Sequence, residues 1–238
     1  MNNWHVNLIT LFPDMFPGNL GKSLSGKALE KGTWSYSCID IRDFGTGTHK
    51  NVDDTPFGGG AGMVMRADII EDALLSIPKE RRGRKIYMSP RGKPLTQKLV
   101  QELSTEETLT ILCGRYEGVD QRVLDAHDIE EISIGDYVLS GGEPAAMILM
   151  DACIRLLEGV MGNNATPDEE SFSNGLLEYP HYTRPAEWTD SEGITHSIPD
   201  ILTSGHHKNI HEWRMKQSET LTQQRRPDIW DLYKKNKK

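Results

Sequence analysis

The stretch Ile132–Pro144, ISIGDYVLSGGEP, decides how this chain is interpreted. A short apolar strand leads into a loop with three glycines, and a long apolar helix is predicted over Ala145–Leu157. Glycine lets backbone N–H and C=O groups approach a ligand because no Cβ stands in the way. The order of strand, glycine-rich loop and helix is typical of a ligand-binding loop, although a plain strand-to-helix turn has the same pattern.

The N-terminal part of the chain alternates short apolar runs with helical patterns, which predicts an α/β fold with a mainly parallel sheet. Five strands are predicted, at Val6–Leu11, Tyr36–Ile41, Lys85–Ser89, Leu109–Cys113 and Glu131–Ile134. The predicted helices of this part are Leu20–Lys31, Ala67–Ile77, Leu95–Leu103, Val119–Ala126 and Ala145–Leu157.

The composition changes after residue 160, where Pro, Asn, Gly, Ser and acidic residues show little periodicity. We expect residues 1–162 to form the first domain and residues 163–203 to form a partly flexible linker, because so long a loop is usually functional or disordered. Residues 204–238 are predicted to form a small helical domain, with helices at Lys208–Gln223 and Pro227–Lys235.

The charge of the chain is unevenly distributed. The formal net charge of −8 weighs against a nucleic-acid partner, but Ser204–Lys238 holds nine Lys/Arg and four Asp/Glu, a net charge of +5. The remaining residues carry 18 basic and 31 acidic side chains, a net charge of −13. An acidic body with a basic C-terminal module indicates an RNA partner, although the last four lysines alone are better explained as a solvated tail.

Other patterns exclude several classes of protein. No apolar run is long enough for a membrane span and no signal-peptide pattern is present, so we expect a cytoplasmic protein. Cys38, Cys113 and Cys153 lie far apart without CxxC spacing, which predicts a reducing compartment and no zinc site. His207 and His211 share a helix face, but two histidines are half of a metal site and are interpreted as surface residues.

A glycine-rich segment, Thr55–Met63 with the sequence TPFGGGAGM, invites comparison with a phosphate-binding loop. No Lys-Ser/Thr pair follows its glycines and GxGxxG is not satisfied, so we exclude ATP or GTP hydrolysis. We expect this loop to pack against another backbone segment or to clamp a ligand.

Three predicted strands end in glycine, proline and polar residues, at positions 89–92, 114–118 and 134–144. Ligands of open α/β sheets bind at the carboxyl ends of the strands. The three loops therefore predict one pocket at a single edge of the sheet.

These three loops, in this order, resemble the bacterial tRNA (guanine-N1)-methyltransferases, the TrmD family of the SPOUT superfamily. The resemblance extends over nearly the whole chain, and each motif is long and unusual in composition. The segments that carry it are Thr10–Phe16, Pro56–Met65, Cys113–Asp120, Ile134–Pro144, Gly175–Pro185 and Trp213–Ser218.

The resemblance implies an N-terminal α/β domain with a deep trefoil knot, in which S-adenosyl-L-methionine binds in a bent conformation. It implies a homodimer whose active site is built across the interface. The implied reaction is methylation of N1 of the guanosine 3′ to the anticodon, tRNA position 37, where another guanosine precedes it, which maintains the reading frame. A magnesium requirement is also implied, but the sequence does not identify the ligands of the metal.

The resemblance also assigns site residues. Arg155 matches the catalytic arginine, and Glu170 stands where the family has its catalytic aspartate before Ser-Phe, with Asp168 as the alternative acid. Glutamate keeps the carboxylate but adds one methylene, so the linker must adjust. The implied cofactor-binding residues are Ser89, Pro90, Gly114, Tyr116, Glu117, Ile134, Gly135, Asp136, Tyr137, Val138, Leu139, Gly141, Gly142 and Pro144.

Two other functions remain open at this point. One is methylation of a ribose 2′-hydroxyl on the same fold, against which the acidic residue near position 170 and the basic C-terminal helices argue. The other is an RNA-binding protein without catalysis, which loss of both Arg155 and the nearby acid would have indicated. Arg155 is present and only the acid differs, so we favour the enzyme.

Overall fold

The computed structural model describes residues 4–161, 170–172 and 174–237. The chain divides into two compact units, Met1–Asn163 and Asn164–Lys238. The alternative acid Asp168 and the predicted domain boundary at residues 162 and 163 lie outside the described residues.

The N-terminal unit is built on a five-stranded sheet in which every neighbouring pair of strands is parallel. All five predicted strands are found, with ends that differ by one to five residues, and the α/β class with a mainly parallel sheet is confirmed. The strands are β1 (Trp4–Thr10), β2 (Trp34–Asp40), β5 (Arg84–Pro94), β6 (Thr108–Leu112) and β7 (Glu130–Ser133), in the order β2-β1-β6-β5-β7. Two short strands, β3 (Asp53–Asp54) and β4 (Val64–Met65), pair antiparallel on either side of the glycine-rich loop.

Helices cover both faces of this sheet, because successive side chains of a strand point to opposite faces. Leu8 of β1 belongs to one buried cluster with residues of the third and fifth helices, whereas Ile9 belongs to a second cluster with residues of the second and fourth. The five predicted helices are found as α1 (Ser23–Glu30), α2 (Ala67–Leu75), α3 (Gln97–Ser104), α4 (Gln121–Ala126) and α5 (Glu143–Ile154).

The C-terminal unit contains both predicted helices, α6 (His207–Arg225) and α7 (Pro227–Asn236). It also contains an antiparallel hairpin of β8 (Glu187–Thr189) and β9 (Thr195–Ser197), followed by a 3-10 turn at Asp200–Thr203. The sequence pattern does not predict these elements, because both strands are three residues long and exposed throughout. The hairpin lies within the segment predicted to be a linker, and the linker role itself stays a prediction.

Candidate functional site

The three predicted loops follow β5, β6 and β7, which are neighbours in the sheet, so their carboxyl ends meet at one edge. The structure brings the loops around one cavity of about 200 Å³. Asp136 and Pro144 do not line this cavity; Pro144 lies in the first turn of α5. The other twelve residues predicted to bind the cofactor do line it: Ser89, Pro90, Gly114, Tyr116, Glu117, Ile134, Gly135, Tyr137, Val138, Leu139, Gly141 and Gly142.

The first loop is a four-residue excursion from β5. Met88 and Lys93 both lie opposite Ile132 of β7, so residues 89–92 leave the ladder and return to the same place. Glycine is required at position 92, because a Cβ there would lie 2.3 Å from the backbone nitrogen of Ile132. The buried Ser89 Oγ accepts a hydrogen bond of 3.2 Å from the Arg91 N–H, which holds the loop closed.

The second loop, after β6, is held from two sides. The Gly142 N–H at the start of α5 donates to the Gly114 carbonyl at 2.9 Å, and the Glu117 N–H donates to the Met63 carbonyl at 3.0 Å. The glycine-rich segment thus contacts another backbone segment, which is one of the two arrangements that the sequence leaves open. Tyr116 adopts a left-handed φ of +60°, an uncommon conformation for a residue with a Cβ, and its ring is left half-exposed beside the cavity.

The third loop is tightly folded at its base and apolar at its rim. Gly135 has a φ of +146°, and a Cβ on it would lie 2.7 Å from the Tyr137 ring. Val138 at the rim is 85% exposed, an unfavourable position for an apolar side chain unless a ligand covers it. Because the cavity is smaller than the roughly 300–1,000 Å³ of typical ligand sites, a bound cofactor would extend against these rim residues.

A buried ion pair contacts the third loop, and the sequence pattern does not predict it. Arg115 Nη2 lies 2.9 Å from Oε2 of Glu143, a carboxylate that is fully buried. Thr10 Oγ1 donates to the other carboxylate oxygen at 2.8 Å, and Arg115 Nη1 donates to the Ser140 carbonyl at 3.2 Å. The Arg115 guanidinium also lies 4.3 Å from the centre of the Phe12 ring. These contacts fix the loops after β1, β6 and β7 relative to one another.

The predicted catalytic arginine lies far from this cavity within its own chain. Gly142, at the N-terminal end of α5, lines the cavity, whereas Arg155 caps the C-terminal end of the same helix. The 12 residues of α5 extend over about 18 Å at about 1.5 Å per residue. An arginine side chain does not span that distance.

The predicted acid, Glu170, belongs to the C-terminal unit and is partly buried at the start of a self-closed turn. Ser171 Oγ accepts from the Glu178 N–H at 3.0 Å, and the Phe172 N–H donates to the Leu176 carbonyl at 2.7 Å. Leu176 is buried, and the neighbouring Leu177 N–H donates to Thr222 Oγ1 on α6 at 2.8 Å. The turn that follows Glu170 is therefore anchored to α6.

The three thiols are protonated at neutral pH. Burial raises the pKa of Cys38 to about 11 and that of Cys153 to about 12, and it also raises the pKa of the fully buried Cys113. Within the described ranges, no three His, Cys, Asp or Glu side chains are grouped so that they could hold a metal ion. A search of the same residues finds no helix that is long and apolar enough to cross a membrane.

The comparison with protein families decides the affiliation of the chain. Residues 4–232 match the model of a family described as tRNA (Guanine-1)-methyltransferase TrmD. The chain belongs to the TrmD family. This confirms the family that the motifs predict, and with it the prediction that the chain is a methyltransferase.

Curated relatives within the TrmD family are similar over almost their whole length, and each is called tRNA (guanine-N(1)-)-methyltransferase. The protein from Rhodospirillum rubrum is 58% identical over 226 residues, which cover 95% of this chain and 92% of the relative. The protein from Cereibacter sphaeroides is 56% identical over 235 residues, covering 97% and 92%. The protein from Brucella ovis is 56% identical over 235 residues, covering 99% and 95%.

Proposed function

We propose that this chain methylates N1 of the guanosine 3′ to the tRNA anticodon, position 37, where guanosine precedes it, using S-adenosyl-L-methionine. The reaction maintains the reading frame and takes place in the cytoplasm. The observation that carries the proposal is the match to the TrmD family over residues 4–232, with relatives that are 56–58% identical and named tRNA (guanine-N(1)-)-methyltransferase.

The residues around the N-terminal cavity suit S-adenosyl-L-methionine. Part of the wall is backbone at Gly114, Gly135 and Gly142, where an added Cβ would lie within 3 Å of another atom. Backbone N–H and C=O groups are obligatory hydrogen-bonding partners, so such walls can pair with the edge of an adenine. When bound, the cofactor supplies an electrophilic methyl group. We infer that the loops form the trefoil knot of the SPOUT superfamily, which the match to the TrmD family supports.

In this proposal Glu170 accepts a proton from the guanine, and Arg155 stabilises the negative charge that develops. Guanine N1 bears a proton and is a poor nucleophile until the proton leaves, so the Glu170 carboxylate accepts it. Negative charge then develops toward O6, which the guanidinium of Arg155 stabilises. Residues 1–162 would serve as the cofactor domain, 163–203 as the linker that carries the acid, and 204–238 as the tRNA-binding domain.

The position of Arg155 supports a homodimer with shared active sites. Its distance from the cavity of its own chain means that one chain does not bring the arginine and the cofactor together. We infer that the cavity of one protomer works with the arginine of its partner.

Mixed dimers test this arrangement. Protomers carrying Gly142→Ala and protomers carrying Arg155→Ala are co-expressed with different tags, and the mixed dimer is purified through both tags. A shared site predicts that one of its two sites contains no substitution, so about half of the wild-type activity returns. Activity no higher than that of the two parent dimers would place the cavity and arginine of one chain in the same site.

The methylation itself is tested with two tRNA transcripts. The protein is incubated with S-adenosyl-L-methionine and a transcript that has guanosine at positions 36 and 37, or one with adenosine at position 36, and the digested RNA is analysed by mass spectrometry. We expect N1-methylguanosine at position 37 of the first transcript only. A ribose-methylated product would support 2′-hydroxyl methylation instead, and tRNA binding without any methyl transfer would support a non-catalytic RNA-binding protein.

The proposal includes a magnesium requirement for the reaction, and the ligands of the ion are not assigned. The described residues contain no His, Cys, Asp or Glu cluster for a metal. The ion would act on the folding of the tRNA or in the reaction itself. Turnover is compared before and after chelation, and separately with tRNA refolded in magnesium and then freed of excess metal. If the refolded tRNA restores turnover, the ion acts on RNA folding.

A further inference from the structure

Tyr87 is a buried aromatic residue that the sequence pattern does not assign to the site. It lies in β5, directly before the strand reaches the loop 89–92, and is 6% exposed. Its side chain belongs to the buried cluster that contains residues of α2 and α4, yet it also lines the N-terminal cavity. The side chain therefore extends from the core of the unit to the loops of the cavity.

The second loop of the cavity passes over the Tyr87 ring. Tyr87 lies opposite Leu112 of β6 in the parallel register, and the loop begins two residues later at Gly114. A Cβ added to Gly114 would lie 2.6 Å from Cε2 of Tyr87 and 2.8 Å from its hydroxyl oxygen, and one added to Gly118 would lie 3.3 Å from the same oxygen. The ring thus supports both ends of the segment 114–118.

Position 114 requires glycine because of this ring. The φ of Gly114 lies outside the left-handed region, so this angle does not require glycine. The three atoms nearest to an added Cβ all belong to Tyr87, at 2.6, 2.8 and 3.1 Å. The size of the side chain at position 87 therefore decides which side chain position 114 can hold.

The segment that the ring supports forms part of the cavity wall. Tyr116 and Glu117 line the cavity, and Tyr116 adopts its left-handed φ of +60° within the segment. The Gly114 carbonyl accepts the hydrogen bond from the Gly142 N–H at the start of α5. A change in the distance between the segment and the Tyr87 ring would move these groups and change the width of the cavity.

We propose that Tyr87 is a positioning residue for cofactor binding, whose ring sets the conformation of the segment 114–118. The inference rests on the proposed function, since it takes the N-terminal cavity as the site of S-adenosyl-L-methionine. Burial raises the pKa of the Tyr87 hydroxyl, so at neutral pH the side chain carries no charge that could attract the cofactor. A Tyr87 that only stabilised the core would have no specific effect on the segment.

The first test combines an added methyl group with a smaller side chain beneath it, and calorimetry measures cofactor binding to the full-length protein. Gly114→Ala forces the segment away from the ring, and Tyr87→Leu removes the ring, so each should raise the Kd for S-adenosyl-L-methionine about tenfold. In the double variant the leucine leaves room for the new methyl group, so the Kd should fall below that of Gly114→Ala alone. Additive losses would contradict the proposal. The Kd for tRNA should not change in any of these variants.

Leu74→Ala is the matched control for lost packing. Leu74 lies in α2 and is buried in the same cluster as Tyr87, but it does not line the cavity. Its truncation should lower the free energy of unfolding while the Kd for S-adenosyl-L-methionine stays at the wild-type value. Equal rises of this Kd in Leu74→Ala and Tyr87→Leu would show that lost core stability, and not lost support of the segment, weakens cofactor binding.

Tyr87→Phe separates the ring from its hydroxyl group. The variant retains Cε2, the atom closest to a Cβ at position 114, so it should bind S-adenosyl-L-methionine with nearly the wild-type Kd. A loss as large as that of Tyr87→Leu would mean that the hydroxyl itself contacts the cofactor, which would replace the positioning role with a binding role.

Hydrogen exchange of the Gly142 amide reports the position of the segment in the absence of cofactor. Because this N–H donates to the Gly114 carbonyl, its exchange should be faster in Tyr87→Leu than in Leu74→Ala. Equal rates would overturn the inference. If the wild-type protein does not bind S-adenosyl-L-methionine, the proposed function fails. Wild-type binding that neither Tyr87→Leu nor Gly114→Ala weakens would refute this inference alone.

Discussion

Two of the cavities in this molecule have walls of different composition. Part of the wall of the N-terminal cavity is backbone at glycines such as Gly114 and Gly142, where an added Cβ would lie within 3 Å of another atom. A cavity of about 670 Å³ within the C-terminal unit, here called the C-terminal cavity, is lined mainly by side chains, among them Tyr179, Trp213 and Arg214. The first is therefore damaged when atoms are added at these glycines and the second when atoms are removed, which gives separate ways to test each.

The two units also differ in how many apolar side chains they bury. Trp34, Leu8 and Met65 are among many apolar side chains that are fully buried in the N-terminal unit. Among the described residues of the C-terminal unit, Leu176 is the single buried hydrophobic side chain. Hydrogen bonds and aromatic contacts therefore contribute a larger share of the stability of this unit. Because a ligand that binds the folded state stabilises it, we expect the stability of the unit to rise when it binds tRNA.

The largest effect should come from Glu170, which lines neither cavity. Glu170→Gln removes the proposed base and should lower kcat about 10²–10⁴-fold, while the Kd for S-adenosyl-L-methionine is unchanged. Single-turnover kinetics with saturating tRNA measure the chemical step. Asp168→Asn is the comparison, and a larger loss for that variant would move the base to Asp168. Glu170→Asp should retain most of the rate if the linker adjusts to the shorter side chain.

The second largest fall in kcat should come from the substitution of Arg155. Arg155→Ala removes the cation that stabilises charge on O6, and a fall in kcat of about 10²–10³-fold is expected. Cofactor binding, measured by calorimetry, should be unaffected because Arg155 caps the end of α5 opposite to the end that lines the cavity of its own chain, and its proposed contact is with guanine O6. Arg81→Ala, an exposed arginine of the same unit, serves as the control. Lost cofactor binding in Arg155→Ala would make this residue structural.

A single methyl group added to the wall of the N-terminal cavity should weaken cofactor binding. In Gly142→Ala the new Cβ would lie 2.9 Å from the Cys113 Cα and 3.0 Å from the Gly114 nitrogen, both backbone atoms that have little freedom to move. The loop must shift to relieve this contact, and a loss of about 1–3 kcal/mol in cofactor binding would raise the Kd for S-adenosyl-L-methionine about 10–100-fold. Ser140→Ala, in the same loop, changes no backbone contact and should bind normally. Normal affinity in Gly142→Ala would show that the cofactor does not depend on this wall.

The sequence predicts one cavity far better than the other for a physical reason. Strands and glycine loops are local patterns, so the loop Ile134–Pro144 and its two neighbours are predictable from chain order and strand ends alone. The pair of Arg115 and Glu143 joins residues that are distant in sequence, and no local pattern indicates it. The C-terminal cavity likewise depends on how segment 179–184 packs against α6, which a single sequence does not reveal.

The smallest effect should come from the contact that anchors the turn following Glu170. Thr222 is fully buried, and its hydroxyl accepts from the Leu177 N–H at 2.8 Å while donating to the Ser218 carbonyl at 2.7 Å. Thr222→Val preserves shape but leaves the Leu177 N–H without this acceptor, which should destabilise the turn by about 1–3 kcal/mol. Hydrogen exchange at the Leu177 amide should accelerate accordingly, with a modest fall in kcat.

Thr220→Val is the matched control for that change. Thr220 lies on the exposed side of the same helix and donates to the Lys216 carbonyl at 2.8 Å, the same bond to the preceding turn that Thr222 makes. The two substitutions therefore remove the same helical contact and differ in the bond to Leu177. Equal exchange rates at Leu177 in both variants would show that the turn after Glu170 is held by Leu176 packing instead. Faster hydrogen exchange at the Leu177 amide in Thr222→Val alone, together with a lower kcat, would show that the contact with α6 helps to position Glu170.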